Sequence, residues 1–232
     1  MNSIQKNERV LVVAAHPDDE VLGCGGTIAM LASMGKEIYV LVLGGVTTSR
    51  YKEKQDEEFW KGEAFKDETR RATAVLDSVF LKKFGFLDNR FDTIPLLDII
   101  KVVENVKSEV EPDLILTHDY ADLNVDHKLT HQAVITAFRP DIKYNRFRIM
   151  TFEILSSTEW QDQNMITFHP NCYVDITEYI HKKIEAMRCY QSELKKYPHP
   201  RSIDGIEYLA RKRGMEVCLQ YAEAFRIVRE VW

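Results

Sequence analysis

The sequence predicts an α/β fold, a mostly parallel sheet covered by helices on both faces. Three observations carry this expectation. Strand-like and helix-like stretches alternate along the 232 residues. The first strand-like stretch, residues 10–15, is a continuous apolar run, as expected of a strand buried on both faces. Two strand-like stretches, 10–15 and 113–118, break off into clusters of histidine and carboxylate, at the strand ends where open α/β sheets bind their ligands.

Residues 10–15 are the first apolar run and the first predicted strand. Residues 21–33 follow as a helix ending near Gly35. Residues 37–43, rich in β-branched side chains, form the second strand. Gly44-Gly45 closes it, and Thr47-Thr48-Ser49-Arg50 is a polar loop at the same sheet edge. Residues 55–76 are highly charged and read as a long helix broken near Gly62, with residues 79–84 as a short strand. Residues 96–110 carry apolar side chains at helical spacing, and Pro112 introduces a strand over 113–118. Residues 129–138 are a helix, 147–155 a strand, 177–195 an amphipathic helix and 206–214 a last helix. Without repeats, low-complexity tracts or Gly/Ser linkers, residues 1–232 read as a single domain.

Composition removes several classes of function. A net charge of −5 gives no basic footprint for nucleic acid. The four cysteines, Cys24, Cys172, Cys189 and Cys218, form no Cys-x-x-Cys pair, which argues against a zinc ribbon and a disulfide framework. They read as reduced thiols of a cytoplasmic protein. No apolar stretch is long enough for a membrane span, and the first residues lack a signal-peptide core.

The first polar cluster is His16-Pro17-Asp18-Asp19-Glu20, at the end of the first strand. His16 and Asp19 can reach one divalent ion, with Asp18 left free between them. Zinc accepts imidazole nitrogen and carboxylate oxygen, and a free carboxylate beside an activated water equips a site for metal-assisted hydrolysis. The plainer reading is a helix start whose carboxylates complement the dipole. It accounts for Asp18, Asp19 and Glu20, but not for a histidine at the strand end followed by proline.

The second cluster, residues 117–131, holds His118, His127, His131, Asp119, Asp122 and Asp126. His127 and His131 are four apart, on one face of a helix if the 129–138 helix starts as early as Val125. His127 reads as the third metal ligand, with Asp126 beside it to orient the imidazole. His131 reads as packed against the sheet or supporting a ligand, and Asp122 or Asn124 as the helix cap.

The run Ala15-His16-Pro17-Asp18-Asp19-Glu20, followed by Gly23-Cys24-Gly25-Gly26-Thr27, resembles the signature of the PIG-L/LmbE family of zinc-dependent N-acetylsugar deacetylases. Asp122-Leu123-Asn124-Val125-Asp126-His127 resembles its second motif. Lys183-Ile184-Glu185-Ala186-Met187, Tyr190-Gln191-Ser192 and Tyr221-Ala222-Glu223-Ala224-Phe225 are similar to its C-terminal third. The resemblance implies a Rossmann-like three-layer sandwich with a mostly parallel central sheet. It implies one zinc ion (Zn2+) per chain on His16, Asp19 and His127, with Asp18 as general base. The implied substrate is a small N-acetylated sugar or sugar conjugate, hydrolysed to acetate and a free amine. It also implies a homo-trimer or hexamer, for which Phe59, Trp60 and Phe65 on a charged segment are candidate contacts.

One position departs from the pattern. Many members carry histidine three residues before the zinc histidine, where it supports the oxyanion, and here Asn124 stands. A neutral amide donates a hydrogen bond without a charge, so the oxyanion role lies open between Asn124 and His118. Arg50, Arg70, His199 and Arg201 are candidates to grip substrate, the last two on the polar knot His199-Pro200-Arg201-Ser202. Glu20 serves as a helix-start charge or as support for a ligand.

Rival readings are weaker. A nucleotide-binding oxidoreductase needs a third glycine where Ile28 stands, and the acidic cluster would repel a pyrophosphate. A zinc amidase acting on a thiol conjugate or another acylated amine shares the same signature. A catalytically silent sugar-binding homologue is favoured by Asn124 alone and opposed by the intact ligand set.

Overall fold

The computed structural model describes residues 9–46, 63–142, 144, 146–162 and 164–231. Among these, β1 (Arg9–Ala14), β2 (Glu37–Val46), β3 (Val79–Leu87), β4 (Leu114–His118), β5 (Arg148–Phe152), β6 (Cys172–Asp175) and β7 (Ala222–Glu230) form one sheet. Its order is β3-β2-β1-β4-β5-β7-β6. The first five strands are mutually parallel, and β7 runs antiparallel to both β5 and β6. The helices are α1 (Asp19–Ser33), α2 (Glu63–Val75), α3 (Leu96–Val110), α4 (Val125–Ala137), α5 (Ile180–Met187) and α6 (Ile203–Met215). This is the Rossmann-like sandwich expected.

Strand periodicity builds the layers. Along β1, Val10, Val12 and Ala14 join one core with Ile28 and Leu31 of α1, Met187 of α5 and Ala210 of α6. Leu11 and Val13, with Ala15 just beyond, join the opposite core with Val103 of α3 and Val134 of α4. Burying each such aliphatic side chain is worth roughly 1.5–3 kcal/mol. The sandwich therefore stands on these two cores, and the buried carboxylates at its edge are a cost it carries. β1 lies between β2 and β4, where the strand order reverses, so the loops after β1 and β4 flank the crevice at the switch point.

The structure corrects several boundaries. Gly44-Gly45 does not end the second strand, which runs on to Val46. Gly44 donates its N–H to the Ala15 carbonyl at 2.7 Å, and a Cβ there would sit 2.7 Å from that oxygen. Only glycine allows β2 so close to the end of β1. α1 starts at Asp19 because the Asp18 carbonyl already accepts from Val21 and Leu22. α4 starts at Val125, four residues early, under an Asn124 cap. The expected 177–195 helix is reduced to α5, and the 147–155 strand to β5. β6 and β7 are additions: Glu223, Arg226 and Arg229 interrupt the apolar pattern of β7. Residues 55–62 of the charged helix, with Phe59 and Trp60, lie outside the described residues, as does the side chain of Phe65. Among the described residues no helix is long and apolar enough to cross a membrane, and all four cysteines are free.

Candidate metal centre

The end of β1 turns sharply. Asp18 adopts φ 100°, a left-handed conformation unusual for a non-glycine residue and often stored at functional sites. Asp18 donates its N–H to Glu20 Oε2 (3.2 Å), and Tyr190 donates its hydroxyl to Glu20 Oε1. Asp19 Oδ2 accepts from the His16 N–H at 2.8 Å. The turn thus places His16, Asp18 and Asp19 side by side, with both carboxylates buried.

α4 brings His127 to the same point. His16 Nδ1 lies 3.4 Å from Asp19 Oδ2, His127 Nε2 lies 3.4 Å from the same oxygen, and the two ring nitrogens are 3.3 Å apart. These three atoms form a nearly equilateral triangle. A zinc ion bonded at about 2.0–2.2 Å spaces tetrahedral ligand atoms by roughly 3.3–3.5 Å. The donor set therefore fits zinc in chemistry and spacing. Asp19 Oδ1 is buried without a hydrogen-bond partner, an expensive state unless a cation lies beside the carboxylate.

Carboxylates fix the outer side of each ring. His16 Nε2 lies 2.9 Å from Asp126 Oδ2 and 2.9 Å from Asp88 Oδ1. Asp126 is itself held by the N–H groups of Asn89 (2.7 Å) and Phe91 (3.0 Å). His127 Nδ1 lies 3.1 Å from Asp122 Oδ1, with the ring N–H off the direct line. Asp122 accepts hydrogen bonds from the hydroxyls of Ser157 and Thr158. Carboxylate–histidine pairs of this kind set the tautomer that leaves the inner nitrogen bare for a metal.

Burial pulls the His127 imidazole down, but Asp19 and Asp122 outweigh it and hold it up at about 9. Burial raises the Asp122 carboxyl, yet His127 and its hydrogen bonds bring it to about 2. Burial lifts the Asp18 carboxyl well above the carboxylate range, against the pull of Arg201. The Glu20 carboxyl is raised by burial to about 7.

The remaining expected residues fall differently. His118 is fully buried, its Nε2 accepts from the Ala15 N–H at 2.8 Å, and its ring stacks on His127 with centroids 4.0 Å apart. Burial, with His127, keeps its pKa well below the ordinary value. With Nε2 accepting, the proton of the neutral ring falls on Nδ1, which is buried without a hydrogen-bond partner. Asn124 Oδ1 caps α4 by accepting from Asp126 N–H at 2.8 Å, and Nδ2 donates to Asn89 Oδ1 at 3.2 Å. Asp126, expected beside His127, serves His16 instead, and Asp122 serves His127. His131 Nδ1 bonds the His118 carbonyl at 2.9 Å, a structural contact as expected.

Arg201 Nη1 meets Asp18 Oδ2 at 2.9 Å, so its guanidinium is already engaged by a carboxylate of the first cluster. His199 is half-buried, accepts from the Arg201 N–H at 3.1 Å and packs its ring edge-on to Trp160. Arg70 is exposed on α2, and Arg50 lies outside the described residues. Asp88 was missed. Its signal was the polar run Asp88-Asn89-Arg90 directly after a strand, at the edge where the other two clusters end.

Fold and cluster together define the class: an α/β-sandwich enzyme with a His/Asp centre at the sheet's switch point. The family described as GlcNAc-PI de-N-acetylase, PIG-L, matches residues 11–138, more than half of the chain. The chain belongs to the PIG-L family, among hydrolases acting on N-acetyl amides. The "Probable N-acetyl-alpha-D-glucosaminyl L-malate deacetylase 2" of Bacillus anthracis is 27% identical over 225 residues, covering 89% of this chain and 94% of that protein. Among solved structures, the N,N'-diacetylchitobiose deacetylase from Pyrococcus horikoshii aligns with a TM-score of 0.76 at 21% identity, over 98% of this chain and 86% of that one. GalB, the 4-carboxy-2-hydroxymuconate hydratase from Pseudomonas putida KT2440, aligns at 0.73 and 21%, over 97% and 98%. At these identities the structural likeness concerns the fold alone, and the fold serves more than one reaction.

Proposed function

We propose that this protein is a zinc-dependent deacetylase of N-acetylglucosaminyl-type substrates, releasing acetate and a free amino sugar. The observation that carries the reading is the triangle of His16 Nδ1, Asp19 Oδ2 and His127 Nε2, with edges of 3.3–3.4 Å. Zinc held there supplies Lewis acidity, which makes water a nucleophile at neutral pH and polarises an amide carbonyl.

The chain's own residues supply the rest. Asp18 accepts the proton of the attacking water and returns it to the departing amine. Arg201 holds Asp18 Oδ2, leaving Oδ1 to face the proton. Asp88 and Asp126 hold the His16 ring, and Asp122 holds His127, so both imidazoles keep one orientation through the cycle. The acetamide rather than the hydratase reading is supported by the family match and by the B. anthracis relative, named as a probable N-acetylglucosaminyl malate deacetylase.

The test is acetate release from a panel of N-acetylglucosaminyl compounds, comparing chelator-stripped protein with the same protein after zinc is restored. Acetate appearing only with zinc is the expected result. A zinc-loaded protein that releases acetate from no member of the panel, thiol conjugates included, overturns the reading.

A further inference from the structure

The helix that carries Asp19 is broken in its middle. Cys24 has φ −149° and ψ 22°, so α1 consists of two helical pieces, and the one bearing Asp19 and Glu20 ends beside Gly23. A break frees backbone groups, which in a buried place must find partners. The Cys24 thiol donates to the Glu20 carbonyl at 3.4 Å. Lys183 Nζ donates to the Leu22 carbonyl at 2.8 Å. The two oxygens of Glu223 accept from the N–H groups of Gly26 (2.9 Å) and Thr27 (2.7 Å), capping the second piece as a side chain caps a helix start.

Lys183 and Glu223 also pair with each other at 2.5 Å, and both are buried. One ion pair, from α5 and β7, therefore occupies both sides of the break. A Cβ on Gly26 would lie 2.8 Å from Ile176, so the second piece is seated as closely as its backbone allows. In an unbroken helix the Gly26 and Thr27 N–H groups would bond carbonyls within α1, and Glu223 would be left with a lysine alone. Burying two charges is costly and by itself is weak evidence for stability. Here the two charges satisfy the groups that the break exposes.

We propose that the Lys183–Glu223 pair is a positioning pair: by holding α1 broken at Cys24 it sets the Asp18–Asp19–Glu20 turn against His16 and His127. This rests on the zinc reading above. Neither residue touches the metal ligands, and both lie beyond the family match at residues 11–138.

The test uses the double variant Lys183→Met/Glu223→Met, which leaves no charge unpaired, and the single variant Glu223→Gln. Glu153→Gln, which breaks a different ion pair with Arg213 (2.6 Å), is the comparison for a merely structural loss. Zinc affinity is measured by chelator competition, and amide exchange over residues 19–27 is followed in metal-free protein. The expected result is zinc binding weaker by about 10–100-fold, as for loss of other ligand-orienting groups. Exchange should quicken across residues 19–27, with both readouts at wild-type values in Glu153→Gln. If the double variant does not fold, Glu223→Gln decides by the same two measurements. Folded variants with wild-type zinc affinity and exchange overturn the positioning role alone. A wild-type protein that takes up no zinc overturns the zinc reading and this proposal with it.

Discussion

The guanidinium of Arg201 and the carboxylate of Asp18 meet at 2.9 Å across 183 residues of sequence. Arg201 is itself anchored, donating to Ser156 Oγ (2.7 Å) and the Leu155 carbonyl (3.4 Å) and lying 3.5 Å from Glu193. Asp18 needs such a hold, since a left-handed backbone at a non-glycine residue costs of order 1–3 kcal/mol. Replacing Arg201 by methionine should therefore loosen Asp18, the proposed general base. We expect kcat to fall on the order of 10²-fold, as for a small misplacement of a reacting group. KM and zinc content should stay near wild type. Steady-state kinetics decide it: a raised KM with unchanged kcat would mean that Arg201 grips substrate after all.

Asp18 and Asp19 are adjacent carboxylates with opposite assignments. Asp19 Oδ2 stands in the triangle with His16 and His127, whereas Asp18 faces Arg201. Asp18→Asn should keep about one zinc per chain and lose turnover by on the order of 10²–10⁴-fold. Asp19→Asn should lose the metal. Elemental analysis of the two purified variants checks this, and the opposite pattern would exchange the roles.

Asp122 orients His127 through a contact of 3.1 Å and is held in turn by Ser157 and Thr158. Asp122→Ala should weaken zinc binding by about 10–100-fold, measured by competition with a chelating dye. Ser157→Ala leaves Thr158 on the carboxylate and should do less. Equal losses in the two variants would mean that Asp122 acts only through the 157–158 turn.

The sequence made His16, Asp19 and His127 readable because each ends an apolar run or opens a helix, and strand ends are where chemistry collects. The five parallel strands were legible too, most plainly β1, whose apolar run is unbroken after Arg9. The sequence did not reveal which carboxylate serves which ring. Asp126 is adjacent to His127 in sequence, yet α4 turns its side chain to His16, because neighbouring residues on a helix point about 100° apart. Asp122, before the helix, reaches His127 instead. The contact between Arg201 and Asp18 was not legible either, because the two lie 183 residues apart. β7 escaped notice because Glu223 and Arg226 break its apolar pattern, and each has a buried counter-charge, Lys183 and Asp119, that sequence alone does not show.

The last prediction concerns Asn124, where the chain departs from the commoner family pattern. Its Oδ1 caps α4 at 2.8 Å, and its Nδ2 donates to Asn89 at 3.2 Å. Both ends of the amide thus have structural work at the helix that delivers His127. Asn124→Ala should cost about 1 kcal/mol of stability, the usual value of an N-cap. Asn124→Ser keeps a capping oxygen and removes the amide N–H, so it separates the two roles. We expect Asn124→Ser to recover most of the stability, seen in thermal melts, and to keep turnover near wild type. If Asn124 instead donates to the oxyanion, the serine variant should be stable yet lose roughly 10²–10³-fold in kcat with KM unchanged. His118, the other candidate, is fully buried, with its Nε2 accepting from the Ala15 N–H and its Nδ1 without a partner. Its removal should show as weakened zinc binding, through loss of the ring stacked on His127 at 4.0 Å.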